Sequence, residues 1–253
     1  MELTVWVVDK LAKMAEAVVK DKVIARWTNY RAERFFQSLI EAVRDEINHD
    51  VPEEELNVLL DQMMSKEVNS ETVFEAYRQV CLSRSREIGP RMIGILTATL
   101  LGEERRANPK EEAILDVAEH FGDSELRGIV EVVRAWQREE RNGYDGIATV
   151  NSELRHAVQN EWIPDSSFSG ANTGSQLNAM LGSWGEKLRS YGLVHEVVGE
   201  RRQKYQAESL RHLGPNQEGT WISRTIIFRE GYSELVDLIE RADRASNASR
   251  VDE

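Results

Sequence analysis

The first 51 residues contain neither glycine nor proline. Over that length nothing supplies an easy positive backbone φ or removes a backbone donor, which favours helix. The apolar pattern agrees. Val8, Leu11, Ala15 and Val18 form one stripe, and Phe36, Leu39, Ile40, Val43 and Ile47 form a second, at three- and four-residue spacing. Thr28 and Asn29 either divide two helices or lie within one.

Helix punctuation continues beyond this stretch. Pro52 opens PEEELNVLLDQMM, with acids in the first turn where they complement the helix dipole. Ser70 is placed to cap ETVFEAYRQVCLSRSR. Gly89 and Pro90 break the chain before MIGILTATLL, the segment expected to be most buried, in which Gly94, Ala98 and Gly102 permit close approach of neighbours. In NPKEEAILDVAEHFG, Asn108 caps, Pro109 opens, Glu111 completes a capping box and Gly122 ends the helix. One more amphipathic helix runs from Asp123 to Glu140 and stops at Asn142-Gly143. Residues 1–142 therefore read as an all-α helical domain.

The remainder changes character. IATVNSELRHAVQNEW reads as helix, PDSSFSGANTGSQ as a loop, and SQLNAMLGSWGEKLRSYG as a helix weakened at Gly182 and Gly185. Leu193 to Val198 and Trp221 to Phe228 read as strands, joined by a long loop holding Gly214 and Pro215. A helix from Gly231 to Ala242 follows, and residues 243–253 read as a disordered tail. The expected fold class is mainly α, with an α+β C-terminal domain over residues 143–242 that carries a β-hairpin.

Leu188, Tyr191, Gly192, Leu193 and Val194, then Trp221 to Phe228, then Gly231 with Leu235, Leu238 and Ile239 follow the order helix, strand, loop, strand, helix. This order resembles a winged-helix domain. The resemblance implies a recognition helix before the GLV turn and a wing between the strands. The wing would carry Arg201, Arg202, Lys204 and Arg211, able to follow a phosphate backbone. The recognition helix is thinner, with Gln176, Asn178, Lys187 and Arg189 beside Glu186. Separately, RAERFFQSLIEAV and SREIGPRMIGILTATLLGEERR are similar to helical N-terminal regions of uncharacterised bacterial proteins, some encoded among phage-defence genes. That likeness implies a bacterial accessory protein and brings no catalytic residue.

The formal net charge is −12, and both parts of the chain are acidic. Bulk attraction to nucleic acid or to an anionic membrane is therefore disfavoured. Catalytic signatures are missing: no GxSxG elbow, phosphate loop or dinucleotide fingerprint occurs. Two Glu-x-x-His spacings, Glu46 with His49 and Glu153 with His156, would suit a metal-dependent enzyme only if both lay on helices and converged. They read better as surface pairs, and His120 as a cation at a helix C-terminus. Cys81, the single cysteine, sits in an apolar pattern and reads as a small core residue. No cofactor is expected. The start lacks the basic region of a signal peptide and no segment reaches the length of a membrane span, so cytoplasmic residence is the expectation. Val5, Trp6, Val7 and Val8 form an apolar cluster suited to a protein partner or a second copy. The expected function is that of a non-enzymatic interaction or regulatory protein. Nucleic-acid binding through the wing is the alternative.

Overall fold

In a computed structural model of the chain, residues 22–47, 52, 58–60, 62–63, 65–144, 146–164, 177–204 and 218–251 are described. Helix α1 (Lys22–Ile47) runs without a break through Thr28 and Asn29. Its buried face is Ala32, Phe35, Phe36, Leu39, Ala42 and Val43, the three- and four-residue spacing of one helical stripe. Helix α2 (Glu67–Leu82) starts three residues before Ser70, whose hydroxyl donates to the Glu67 carbonyl at 2.9 Å within the first turn. Ser70 is therefore not the cap.

Helix α3 (Ile88–Gly102) includes Gly89 and Pro90 rather than starting after them. Proline is tolerated in a first turn because the amide it lacks has no intrahelical partner there. Nearly every side chain of α3 is buried, among them Ile88, Met92, Ile93, Ala98 and Leu101. Each of the larger ones contributes about 1.5–3 kcal/mol by leaving water. A Cβ on Gly94 would lie 2.4 Å from the Phe35 carbonyl oxygen, so α1 and α3 touch backbone to backbone at this point. Helix α4 (Pro109–His120) opens with the full capping box of Asn108 and Glu111. Helix α5 (Asp123–Arg141) follows.

Residues 147–162 are not helical. They form strands β1 (Ile147–Val150) and β2 (Glu153–Pro164). Asn151 and Ser152 both hold positive φ, at 52° and 63°, the signature of a two-residue hairpin turn. Leu154 and His156 alternate into the interior, and Val158 is the extra residue where the register shifts. Helices α6 (Leu177–Leu181) and α7 (Ser183–Ser190) are separated at Gly182, which has φ of +65°. Strands β3 (Val194–Lys204) and β4 (Glu218–Phe228) complete an antiparallel sheet of order β1-β2-β4-β3. Helix α8 (Tyr232–Val251) extends through most of the segment that composition marks as a disordered tail. Leu235, Val236, Ile239 and Ala242 on it are buried, and so is Ser246.

The protein is thus mainly helical, with a small four-stranded sheet. The chain divides into two compact units, residues 1–130 with 234–253, and residues 131–233. The sequence places these divisions near 142 and 242. Helix α5 ends at Arg141, beside the first of these positions, while α8 runs on through Ala242 to Val251 because Ala242 and Ser246 keep a buried face there. In the first unit the described elements are helical. In the second, Trp136 stands edge-on to His156 and Phe228, with ring centroids 4.5 and 5.3 Å apart, and helps to close the sheet's inner face. Among the described residues no helix is long and apolar enough to cross a membrane.

Candidate functional site

Helix α2 buries Val73, Ala76, Tyr77 and Val80, and any residue off that stripe faces outward. Phe74 lies off the stripe. It is 49 % exposed, and Glu71 and Glu75 flank it at positions three before and one after. Phe74 lines a groove of about 620 Å³ between α2, α3 and α4. The apolar surface also includes Ala76, Leu100 and Leu115, while Glu71 and Glu75 on α2 and Glu112 and Asp116 on α4 bring carboxylates to the lining.

The connection between α3 and α4 is held rigidly, and this places Arg106 at the groove. The Arg105 guanidinium donates to both carboxylate oxygens of Glu111, at 2.6 and 2.7 Å. Glu111 also accepts from the Asn108 amide at 2.8 Å in the capping box. One carboxylate therefore serves both the helix cap and the loop. Arg105 holds the Glu111 carboxyl below its ordinary value, and Glu111 with Glu103 raises that of Arg105. The next residue, Arg106, forms an ion pair with Glu71 across the connection, with both side chains largely exposed.

A second hollow of about 330 Å³ lies in the same unit, where the Lys110 ammonium meets Glu234 of α8 at 2.6 Å. Beside the first groove, Asp116, Glu119 and His120 bring possible ligand atoms within 4.8 Å of one another. His120 Nδ1 lies 2.9 Å from the Asp116 carbonyl oxygen. With the proton on Nδ1 it donates there, which fits a residue that satisfies the end of its helix. The Cys81 thiol is half-buried, and burial pushes it above its ordinary value, away from the reactive thiolate.

The sequence-derived candidates are placed as follows. Arg201, Arg202 and Lys204 belong to strand β3, paired with Trp221, Thr220 and Glu218, rather than to an open wing. Arg211 lies outside the described residues, as do Val5, Trp6, Val7 and Val8. Glu153 and His156 lie on a strand, where residues three apart point to opposite faces, and they cannot share a metal. His156 is buried among Trp136, Tyr144 and Ile226 instead. Burial lowers its pKa against a smaller pull from Glu139. Glu46 lies in α1, and His49 is outside the described residues.

Comparison with protein-family models, curated proteins and solved structures finds no match. Function is therefore argued from the residues of the site. The groove escapes a reading of stripes alone because three helices build it. One signal in the sequence points to it: a phenylalanine off its helix's buried stripe, set between glutamates. An aromatic ring left half in water is the expensive choice at such a position.

Proposed function

We propose that the protein acts through protein–protein contacts without catalysing a reaction, and that the groove between α2, α3 and α4 is its contact surface. The observation that carries this reading is Phe74, half-exposed at a groove that carboxylates border. Buried aromatic anchors with a polar rim are the usual energetic centre of an interface. A partner that covers the ring gains burial of the half that still faces water.

The test is capture of cellular partners on immobilised full-length protein, compared with Phe74→Asp and Leu82→Asp. Leu82 is 58 % exposed and does not line the groove. Partners should be lost with Phe74→Asp and retained with Leu82→Asp. Equal retention by the Phe74 variant, with unchanged circular dichroism, would overturn the proposal.

The order of α7, β3 and β4 supports a winged-helix-like C-terminal part, to which the β1–β2 hairpin is added. Such a part serves contacts as readily as nucleic acid. The acidic balance of the chain favours contacts, since a net charge of −12 opposes bulk attraction to phosphate.

A further inference from the structure

We propose that the occupant of the groove is a basic amphipathic segment of a partner protein, with apolar side chains on Phe74 and Leu115 and lysine or arginine heads at the carboxylate rims. The inference rests on the protein-contact reading and names the class of partner.

The argument is one of charge and spacing. Glu71 and Glu75 are four residues apart on α2, and Glu112 and Asp116 are four apart on α4. On each helix the pair stands about 6 Å apart on one face. The groove therefore offers two short rows of negative charge with the exposed ring of Phe74 between them, over a mixed base of Leu100, Leu115, Thr72 and Thr97. A helix with leucines on one face and cations on its flanks matches that arrangement. A groove of this size accommodates a few side chains and suits a segment better than a flat domain face.

The chain already carries one cation at this rim. Arg106 reaches Glu71 from the anchored connection and does there what a partner's arginine would do. Glu75 likewise meets Arg78 of its own helix at 2.8 Å. Both pairs are exposed, so each is worth a few-fold in an equilibrium constant at most. Arg106 is thus an internal stand-in that an incoming cation displaces at small cost. Removing it should tighten binding, whereas most interface truncations loosen it.

The test uses full-length protein and two fluorescein-labelled peptides of about eighteen residues, roughly five helical turns. Both carry the same leucine stripe, one flanked by arginine and lysine and the other by glutamate. Fluorescence anisotropy should show binding of the basic peptide, weakening as salt rises. Glu75→Lys with Glu112→Lys should weaken it at least about tenfold. Phe74→Asp should abolish it. Arg106→Ala should tighten it about threefold, and Arg189→Ala, an equal change of charge outside the groove, should leave it unchanged. Binding of the acidic peptide as tightly as the basic one, or basic-peptide binding indifferent to the double reversal, overturns this inference. So does failure of both peptides to bind. In each case the groove reading is decided separately by the Phe74→Asp capture experiment.

Discussion

Glu87, at the cap position of helix α3, makes no side-chain cap bond, and the Ser85 hydroxyl accepts from the Gly89 amide at 2.6 Å. The other amides of this turn are taken by Asp123, at the start of α5. Its carboxylate accepts from the Ser85 hydroxyl and from the Ile88 amide at 2.9 Å, with the Arg86 and Glu87 amides further off at 3.3 Å. Ser85 and Ile88 are fully buried, so water cannot replace the carboxylate at either. Two short charge-assisted bonds contribute about 1.5–3 kcal/mol each, and the longer pair adds little. Asp123→Ala should therefore destabilise the protein by about 3–5 kcal/mol. Asp123→Asn keeps an acceptor oxygen and loses the charge at the helix N-terminus, so it should cost about 1–2 kcal/mol. Urea denaturation followed by far-ultraviolet circular dichroism measures both, provided the slope with denaturant stays constant. An Asp123→Ala variant within about 1 kcal/mol of wild type would refute the reasoning, because bonds to buried amides cannot be that cheap to lose. So would equal losses in the two variants, which would mean that charge plays no part.

Other expectations follow from the same geometry. Glu196 and Arg224 pair at 3.1 Å on adjacent strands, with side chains only 6 and 2 % exposed. Glu196→Ala removes one charged acceptor from a buried guanidinium and should cost about 1.5–3 kcal/mol, as thermal denaturation would show. His156 is held below its ordinary value chiefly by burial, so the unfolded chain takes up a proton that the native protein resists. Its stabilising contribution is complete above the ordinary imidazole range and shrinks as pH falls below about 6.5. His195, lowered by burial and by Arg229, acts in the same direction. The urea midpoint should therefore fall between about pH 7 and pH 5, and His156→Phe should flatten that fall; an unchanged slope would count against it. Gly94→Ala gains helix propensity but drives a methyl group into the Phe35 carbonyl oxygen, so it should lose about 1–3 kcal/mol by the same denaturation assay.

What the sequence made legible was local. The capping box at Asn108 and the burial of α3 could be read because neighbouring residues decide them. The β1–β2 hairpin could not. IATVNSELRHAVQNEW has apolar positions that suit either period, and its turn uses Asn151-Ser152 in place of the usual asparagine-glycine signal. Arg201, Arg202 and Lys204 were hidden for a related reason. Charged residues enter a strand when a partner strand is present, and theirs begins at Glu218, with fourteen sequence positions from Lys204 to it. Asp123 accepting from the first turn of α3 was out of reach, since the bond joins residues 35 apart. The groove shares that difficulty, with Phe74 on α2 and Leu115 on α4 brought together only by packing.

The helical unit is discontinuous in sequence. The chain leaves it after Val130 and re-enters at Glu234, and α8 then ties Asp243 to Arg127 at 2.8 Å and Glu234 to Lys110. A ribosome delivers the chain from one end, at about 5–20 residues per second. The first 130 residues therefore emerge on the order of ten seconds before the helix that completes their unit. During that interval Lys110 and Arg127 wait without Glu234 and Asp243, and the apolar face that α8 covers stays open. Synthesis order should therefore leave the unfinished unit prone to association for as long as residues 131–233 are being translated. A silent change that delays codons between 131 and 233 should lower soluble yield while leaving the purified protein unaltered.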